Sequence, residues 1–177
     1  MAPSVEFTDQ LLALLPKLRR FARSLTGSIN EGDDIVQSAC ERALERADQF
    51  EPGTRFDSWM YRIVQTVWID SLRQQNRREK GVSPGELALF PGEDPLRLTE
   101  GKIALAQTRR AIAKLPADLR EVLVLVSIEE LPYREAAEIL GIPIGTVMSR
   151  LSRARMTLYE TMAEPKMRWL KPHGTRR

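Results

Sequence analysis

A chain of 177 residues with 27 basic and 24 acidic side chains, net charge +3, holds one ordinary domain or two small ones, because domains cluster near roughly 100–150 residues. At 42% hydrophobic and 29% charged residues it is globular rather than disordered, and no apolar run reaches the roughly 18 residues that span a bilayer, so no membrane insertion is expected. The single cysteine, Cys40, excludes an intramolecular disulfide and a thiolate metal cluster, and MAPSVEFTDQ lacks the pattern of a secretory signal; both point to a cytoplasmic protein without a bound metal or other cofactor.

In chain order, Leu11, Leu14, Leu15, Leu18 and Leu25 recur at helical spacing and predict a first helix that Gly27 stops. A second helix is predicted from Asp33 or Asp34, carboxylates suited to free amides at a helix start, through Ile35, Ala39, Ala43 and Ala47. Cys40 lies on its apolar side as a small buried hydrophobe. Asp34, Gln37, Ser38, Glu41 and Glu45 form a polar, largely acidic face that reads, taken alone, as solvated surface.

Beyond the broken segment EPGTR, a third helix is predicted from Asp57 or Ser58 to about Gln75. Met60, Ile63, Val64 and Val67 make one apolar stripe, and Tyr61, Trp68, Ile69 and Leu72 a second, so this helix is expected to be buried on two sides. What remains is a polar stripe, Arg62, Thr66, Asp70, Arg73 and Arg77, which runs into RQQNRREK and can follow a nucleic-acid backbone. Trp59 and Trp68 read as core rather than as base-stacking platforms.

The segment from Glu79 to Gly101 has three prolines and four glycines and no sustained period, and reads as a solvated, flexible linker. Charge divides along the chain: 12 basic and 12 acidic residues in 1–80 (net 0), one and four in 81–101 (net −3), 14 and eight in 102–177 (net +6). The C-terminal part is the one that attracts polyanions. Helical pattern resumes through Ile103, Gln107 and Ile112, stops at Leu115 and Pro116, and restarts at Asp118 with Leu119, Val122, Leu123 and Val126 on one face. After Leu131 and Pro132, helices are predicted over Tyr133 to Leu140 and Ile144 to about Thr161. No segment alternates with period two, so the fold class is all-α: two small helical domains, 1–80 and 102–165, a linker over 81–101 and a basic tail over 166–177.

The last two helices have the form of a helix-turn-helix. Ala136, Ala137 and Leu140 give the first a small inner face, Gly141 supplies a left-handed residue and Pro143 pre-sets the second. Val147, Leu151, Ala154 and Leu158 form the core side of the second, while Thr146, Met148, Ser149, Ser152 and Arg153 face outward. No carboxylate occurs from Ile144 to Tyr159, so that face can meet phosphates and base edges in a major groove. Arg150 either joins it or pairs with Glu135 or Glu138 on the preceding helix.

DDIVQSACERAL followed by FDSWMYRIVQTVWIDSLRQQNRR resembles the two hallmark blocks of the second region of extracytoplasmic-function sigma factors. LPADLREVLVLVSIEELPYREAAEILGIPIGTVMSRLSRAR resembles their fourth region, and together the likeness covers residues 10–80 and 103–161. It implies a sigma factor that binds core RNA polymerase and directs promoter-specific initiation. By this resemblance Asp34, Gln37, Glu41 and Arg42 dock on the clamp helices of the largest subunit. Phe56, Trp59, Arg62, Thr66, Asp70, Arg73 and Arg77 lie near the −10 element, whose unpaired bases are captured. Thr146, Met148, Ser149, Ser152 and Arg153 read the −35 element. Thr66 departs from the asparagine common in the family, which leaves the captured base unspecified, and Met148 replaces a frequent lysine or arginine. The linker, with Glu86, Glu93 and Asp94, is implied to pass through the active-site channel of the polymerase, and an anti-sigma protein is the implied restraint.

Competing classes fare worse. For an enzyme, the one histidine, His173, sits in the basic tail, there is no glycine-rich phosphate loop, and the paired carboxylates Asp33–Asp34 and Glu129–Glu130 splay about 100° apart on a helix. A stand-alone dimeric repressor needs a ligand pocket or dimer seam in the N-terminal half. A sigma mimic that only sequesters an anti-sigma factor is expected to lose the basic side chains of the recognition helix, whereas Arg150, Arg153 and Arg155 are present.

Overall fold

A computed structural model describes residues 4–79 and 100–167. The linker acids Glu86, Glu93 and Asp94 and the tail histidine His173 lie outside the described residues. Helix α1 (Val5–Thr26) opens at Ser4, whose hydroxyl accepts the Phe7 amide at 3.1 Å, and closes at Gly27, in the left-handed region at φ 75°. Its buried face is Phe7, Leu11, Leu14, Leu18, Phe21, Ala22 and Leu25, the helical repeat of the sequence. Pro16 lies inside α1 on the exposed side without ending it.

Helix α2 (Ile29–Glu45) begins earlier than the Asp33–Asp34 pair suggests. Ser28 is the cap, accepting the Glu31 amide at 3.4 Å, and Asp33 instead receives the Arg23 guanidinium at 3.0–3.2 Å, tying α2 to α1. Gly32 permits the close crossing: a Cβ there would stand 2.7 Å from Arg23 Cγ and 2.9 Å from its backbone. A short 3₁₀ turn (Ala47–Gln49) and a loop lead to α3 (Phe56–Glu79), which starts slightly before and ends beyond the predicted bounds. Cys40 is half-buried, and burial raises its thiol pKa, consistent with a packing role.

The second half comprises α4 (Glu100–Ala113), α5 (Ala117–Leu123), a π-helical turn (Val124–Ile128), α6 (Tyr133–Leu140) and α7 (Ile144–Met167), and no strand occurs among the described residues. Pro116, Pro132 and Pro143 each precede a helix, and their carbonyls accept the first helical amides, Arg120 at 2.9 Å, Ala136 at 3.0 Å and Thr146 at 2.9 Å. A proline at such a start loses no hydrogen bond, because the first amides have no helical acceptor. Gly141 ends α6 at φ 65°, as its place in the sequence predicts. Within α6 the buried face is Ala136, Ala137 and Ile139, and Leu140 is only half-buried.

The two halves are in contact. Helix α1 packs on α4 and on the π turn, α3 packs on α6, and one contiguous apolar cluster runs from Leu18, Phe21 and Met60 through Trp68 to Leu125, Val147 and Leu151. The polar faces of α2 and α7 stay outside that cluster.

Candidate nucleic-acid interface

Helix α3 is buried on two sides because its two apolar stripes have different partners. Met60, Ile63, Val64 and Val67 are buried along one stripe. On the other, Tyr61 meets Phe21 edge-on at 4.9 Å and Trp68 lies beneath the Arg120 guanidinium at 5.6 Å. The polar stripe is left facing solvent: Arg62, Thr66, Arg73 and Arg77 are exposed and Asp70 half-exposed. Thr66 Oγ1 donates back to the Arg62 carbonyl at 2.8 Å, which leaves its oxygen lone pairs and methyl group outward. Asp70 is held by Arg42 of α2 at 3.4 Å and by Arg73 at 3.5 Å. The stripe and the α2 face therefore meet at one ion pair.

Along α2, Asp34, Gln37 and Glu41 are exposed, and Gln37 donates to Glu41 at 3.1 Å. Phe56 is buried at the tip of α3, 5.1 Å from Phe7 and 5.2 Å from Phe50, and the half-buried Trp59 stands 5.5 Å from Phe50. Phe56 thus shapes the tip from inside, while the adjacent loop, with Gly53 at φ 91°, is exposed.

On α7 the inner repeat is Val147, Leu151 and Ala154, with Leu158 partly buried, as the spacing requires. Met148, Ser149, Ser152 and Arg153 are exposed and Thr146 is half-exposed. Ser149 Oγ donates to the Thr146 carbonyl at 3.1 Å, and Arg153 reaches only its own helix, the Ser149 carbonyl at 3.5 Å. Its guanidinium has no recorded acidic partner among the described residues, so its charge is available to a polyanion. Arg150 belongs to neither of its expected settings. It pairs with Asp118 at 3.6 Å and Glu121 at 3.4 Å on α5, while Glu138 pairs with Arg134 and Glu135 with Arg55.

Two family descriptions match the chain: Sigma-70, region 4, over residues 105–158, and the Sigma2 domain of PhyR over residues 11–65. The ECF RNA polymerase sigma factor EcfG of Rhodopseudomonas palustris is 37% identical over 150 residues, covering 85% of this chain and 81% of that protein. The chain belongs to the ECF RNA polymerase sigma factors. SigW of Bacillus subtilis is 29% identical, with 89% of each chain covered. The sigma factor RpoE of Bartonella quintana, solved in complex with the anti-sigma factor NepR, superposes with a TM-score of 0.77 at 29% identity over 90% of this chain and 98% of that one. That superposition takes in both halves at once.

In this sigma factor the halves are joined by contacts that periodicity does not reveal. Glu129, following the π turn, accepts Arg20 Nε at 2.9 Å, Arg20 Nη2 at 2.7 Å and the Tyr61 hydroxyl at 2.8 Å. Burial, followed by the bond to Glu129, raises the Tyr61 pKa, so its proton stays in place as donor. Gln65 donates to Glu121 at 3.0 Å, and Arg120 caps carbonyls of both halves, Leu25 at 2.6 Å and Leu115 at 2.8 Å. A groove of about 490 Å³ follows the seam between α1 and α4, with Ile29, Leu105 and Ile112 on its apolar side. The only sequence signal for any of this was the acidic pair Glu129–Glu130, which the enzyme comparison had set aside.

Proposed function

We propose that this sigma factor binds core RNA polymerase through the α2 face of Asp34, Gln37, Glu41 and Arg42 and selects promoters with two separate surfaces. The α3 stripe of Arg62, Thr66, Asp70, Arg73 and Arg77, with Phe56 and Trp59 at its head, holds the melted −10 element. The α7 face of Thr146, Met148, Ser149, Ser152 and Arg153 enters the major groove of the −35 element. Residues 1–80 act as region 2, 102–165 as region 4 and 81–101 as their linker. The protein works in the cytoplasm, catalyses no reaction of its own, and is restrained by an anti-sigma protein. The observation that carries this reading is an α7 face exposed, cationic and free of carboxylates, on a chain whose other half presents a separate acidic face.

A second reading takes support from the match to the Sigma2 domain of PhyR: a sigma-like chain that binds only an anti-sigma factor. Exposed Arg153 and Arg155 on α7 favour promoter binding over that role. Run-off transcription with core polymerase over a promoter library separates the two. Initiation dependent on this protein is expected at a subset of sequences. Failure to initiate at any of them, with no co-purification with core enzyme, overturns the sigma assignment.

A further inference from the structure

We propose that Glu129 is a latch holding the two halves in a closed form that cannot engage both promoter elements, so that the sigma factor must unlatch before it initiates. The inference rests on the reading of the halves as −10 and −35 binders.

The latch is built by the backbone. The Glu129 amide donates to the Val124 carbonyl at 2.9 Å, five residues back, and the Leu131 amide reaches Leu125 at 3.0 Å. Glu130 takes φ 56°, the left-handed region that a residue with a Cβ disfavours. An unbroken α-helix would carry residue 129 to a different azimuth. The π turn and the strained residue after it aim the carboxylate at the other half instead, where three donors from α1 and α3 satisfy it. Glu129 is 1% exposed although Arg20 is 55% exposed. A bidentate guanidinium pair with a neutral third donor is the arrangement in which a buried carboxylate is stabilised rather than penalised.

Neighbouring contacts extend the clasp. Arg55, in the loop before α3, pairs with Glu135 of α6. Arg62, head of the −10 stripe, reaches the turn of the helix-turn-helix, its Nη2 lying 3.7 Å from where a Cβ on Gly141 would be. The closed form therefore lays α6 over the start of the surface that must take melted DNA, while leaving the α7 face open.

Geometry makes the consequence strong. Elements centred 25 positions apart in B-DNA are separated by about 85 Å at 3.4 Å per step. A compact chain of this length has a radius of gyration of about 16 Å, a diameter of roughly 40 Å. Residues 80–99 can span at most about 70 Å when extended, so separated halves reach both elements and latched halves reach one. The RpoE relative, bound to its anti-sigma factor, superposes on both halves together, so a comparable placement recurs in a sigma factor held by such a partner.

Small-angle scattering on the full chain tests the latch directly. Glu129→Ala should raise the radius of gyration by roughly a third over wild type, and Arg20→Ala, which alters α1 and leaves the α5–α6 turn intact, should do the same with helical circular dichroism unchanged. A second arm uses Arg55→Cys with Glu135→Cys in a Cys40→Ser background, joined by a short bis-maleimide. The cross-linked protein should lose at least ten-fold in run-off transcription relative to the same protein without cross-linker. Wild-type dimensions in both Glu129→Ala and Arg20→Ala, or full initiation by the cross-linked protein, overturns the latch. Expansion of the variants together with a wild type that initiates nowhere leaves the latch standing and removes the promoter reading instead.

Discussion

The two halves of this sigma factor solve the same packing problem with different materials. The N-terminal half closes on large apolar side chains, Leu18, Phe21, Leu25, Met60 and Val64, with an aromatic cluster at its tip, and its ion pairs, such as Arg23–Asp33, lie partly exposed. The C-terminal half has shorter helices and places charged groups in its interior: Glu121 buried between Gln65 and Arg150, and Arg120 capping three carbonyls under desolvation that lowers its pKa. Apolar packing tolerates many partners, whereas buried charge tolerates few arrangements. The contrast places register-setting contacts in the half that moves and the bulk of the core in the half that receives it.

If the seam is part of one core, a substitution there should destabilise both halves together. Trp68 is 1% exposed and carries Arg120 on its ring. Trp68→Ala should cost about 3–5 kcal/mol and lower a single calorimetric transition. Two transitions, with only the earlier one shifted, would show that each half folds on its own core. Gly32→Ala probes the N-terminal half alone: the added methyl would sit 2.7–2.9 Å from Arg23 Cγ and backbone, so α1 and α2 must separate. The expected loss is about 1–3 kcal/mol in urea unfolding, and a neutral effect would mean that the crossing relaxes freely.

How far this was legible in the sequence follows the range of the interactions. Stops at Gly27 and Gly141, restarts at Pro116, Pro132 and Pro143, both stripes of α3 and the inner repeat of α7 are local, and all were readable. The start of α2 was misplaced because Asp33 and Asp34 mimic a cap, while the true one is Ser28 and Asp33 is engaged by Arg23. Arg150 was assigned to neighbours on the preceding helix, yet its partners stand 29 and 32 positions earlier on α5. The seam was invisible for the same reason: Arg20 and Glu129 are 109 residues apart, and nothing in either local pattern names the other. The two-sided burial of α3 did foretell that something covers Tyr61 and Trp68, without saying what.

The recognition face offers a smaller, sharper contrast with the −10 stripe, which carries three arginines against the single Arg153 among the named α7 positions. Met148 is 50% exposed on that face. Met148→Arg should add one phosphate contact, steepening the salt dependence of −35 duplex binding by about 0.9 in log–log slope. An unchanged slope would place Met148 away from the DNA backbone.

The smallest expected effect concerns the buried charge itself. Desolvation raises the Glu121 pKa from its ordinary 4.5, opposed by the Gln65 hydrogen bond and the Arg150 charge, with Asp118 adding to the rise. Because the folded value lies above the unfolded one, the folded state binds this proton more tightly. The associated stability is complete below pH 4.5 and is lost as pH rises through the folded pKa. Glu121→Gln keeps an acceptor for Gln65 and leaves Arg150 with Asp118, so it should flatten the pH dependence just above 4.5 and change neutral-pH stability by less than about 1 kcal/mol. Urea unfolding at pH 4.5, 5.5 and 7 decides the point. A variant that loses more at pH 7 than at pH 4.5 would show that the Arg150 pair outweighs burial, and that the C-terminal half draws net stability from its interior charges rather than spatial order alone.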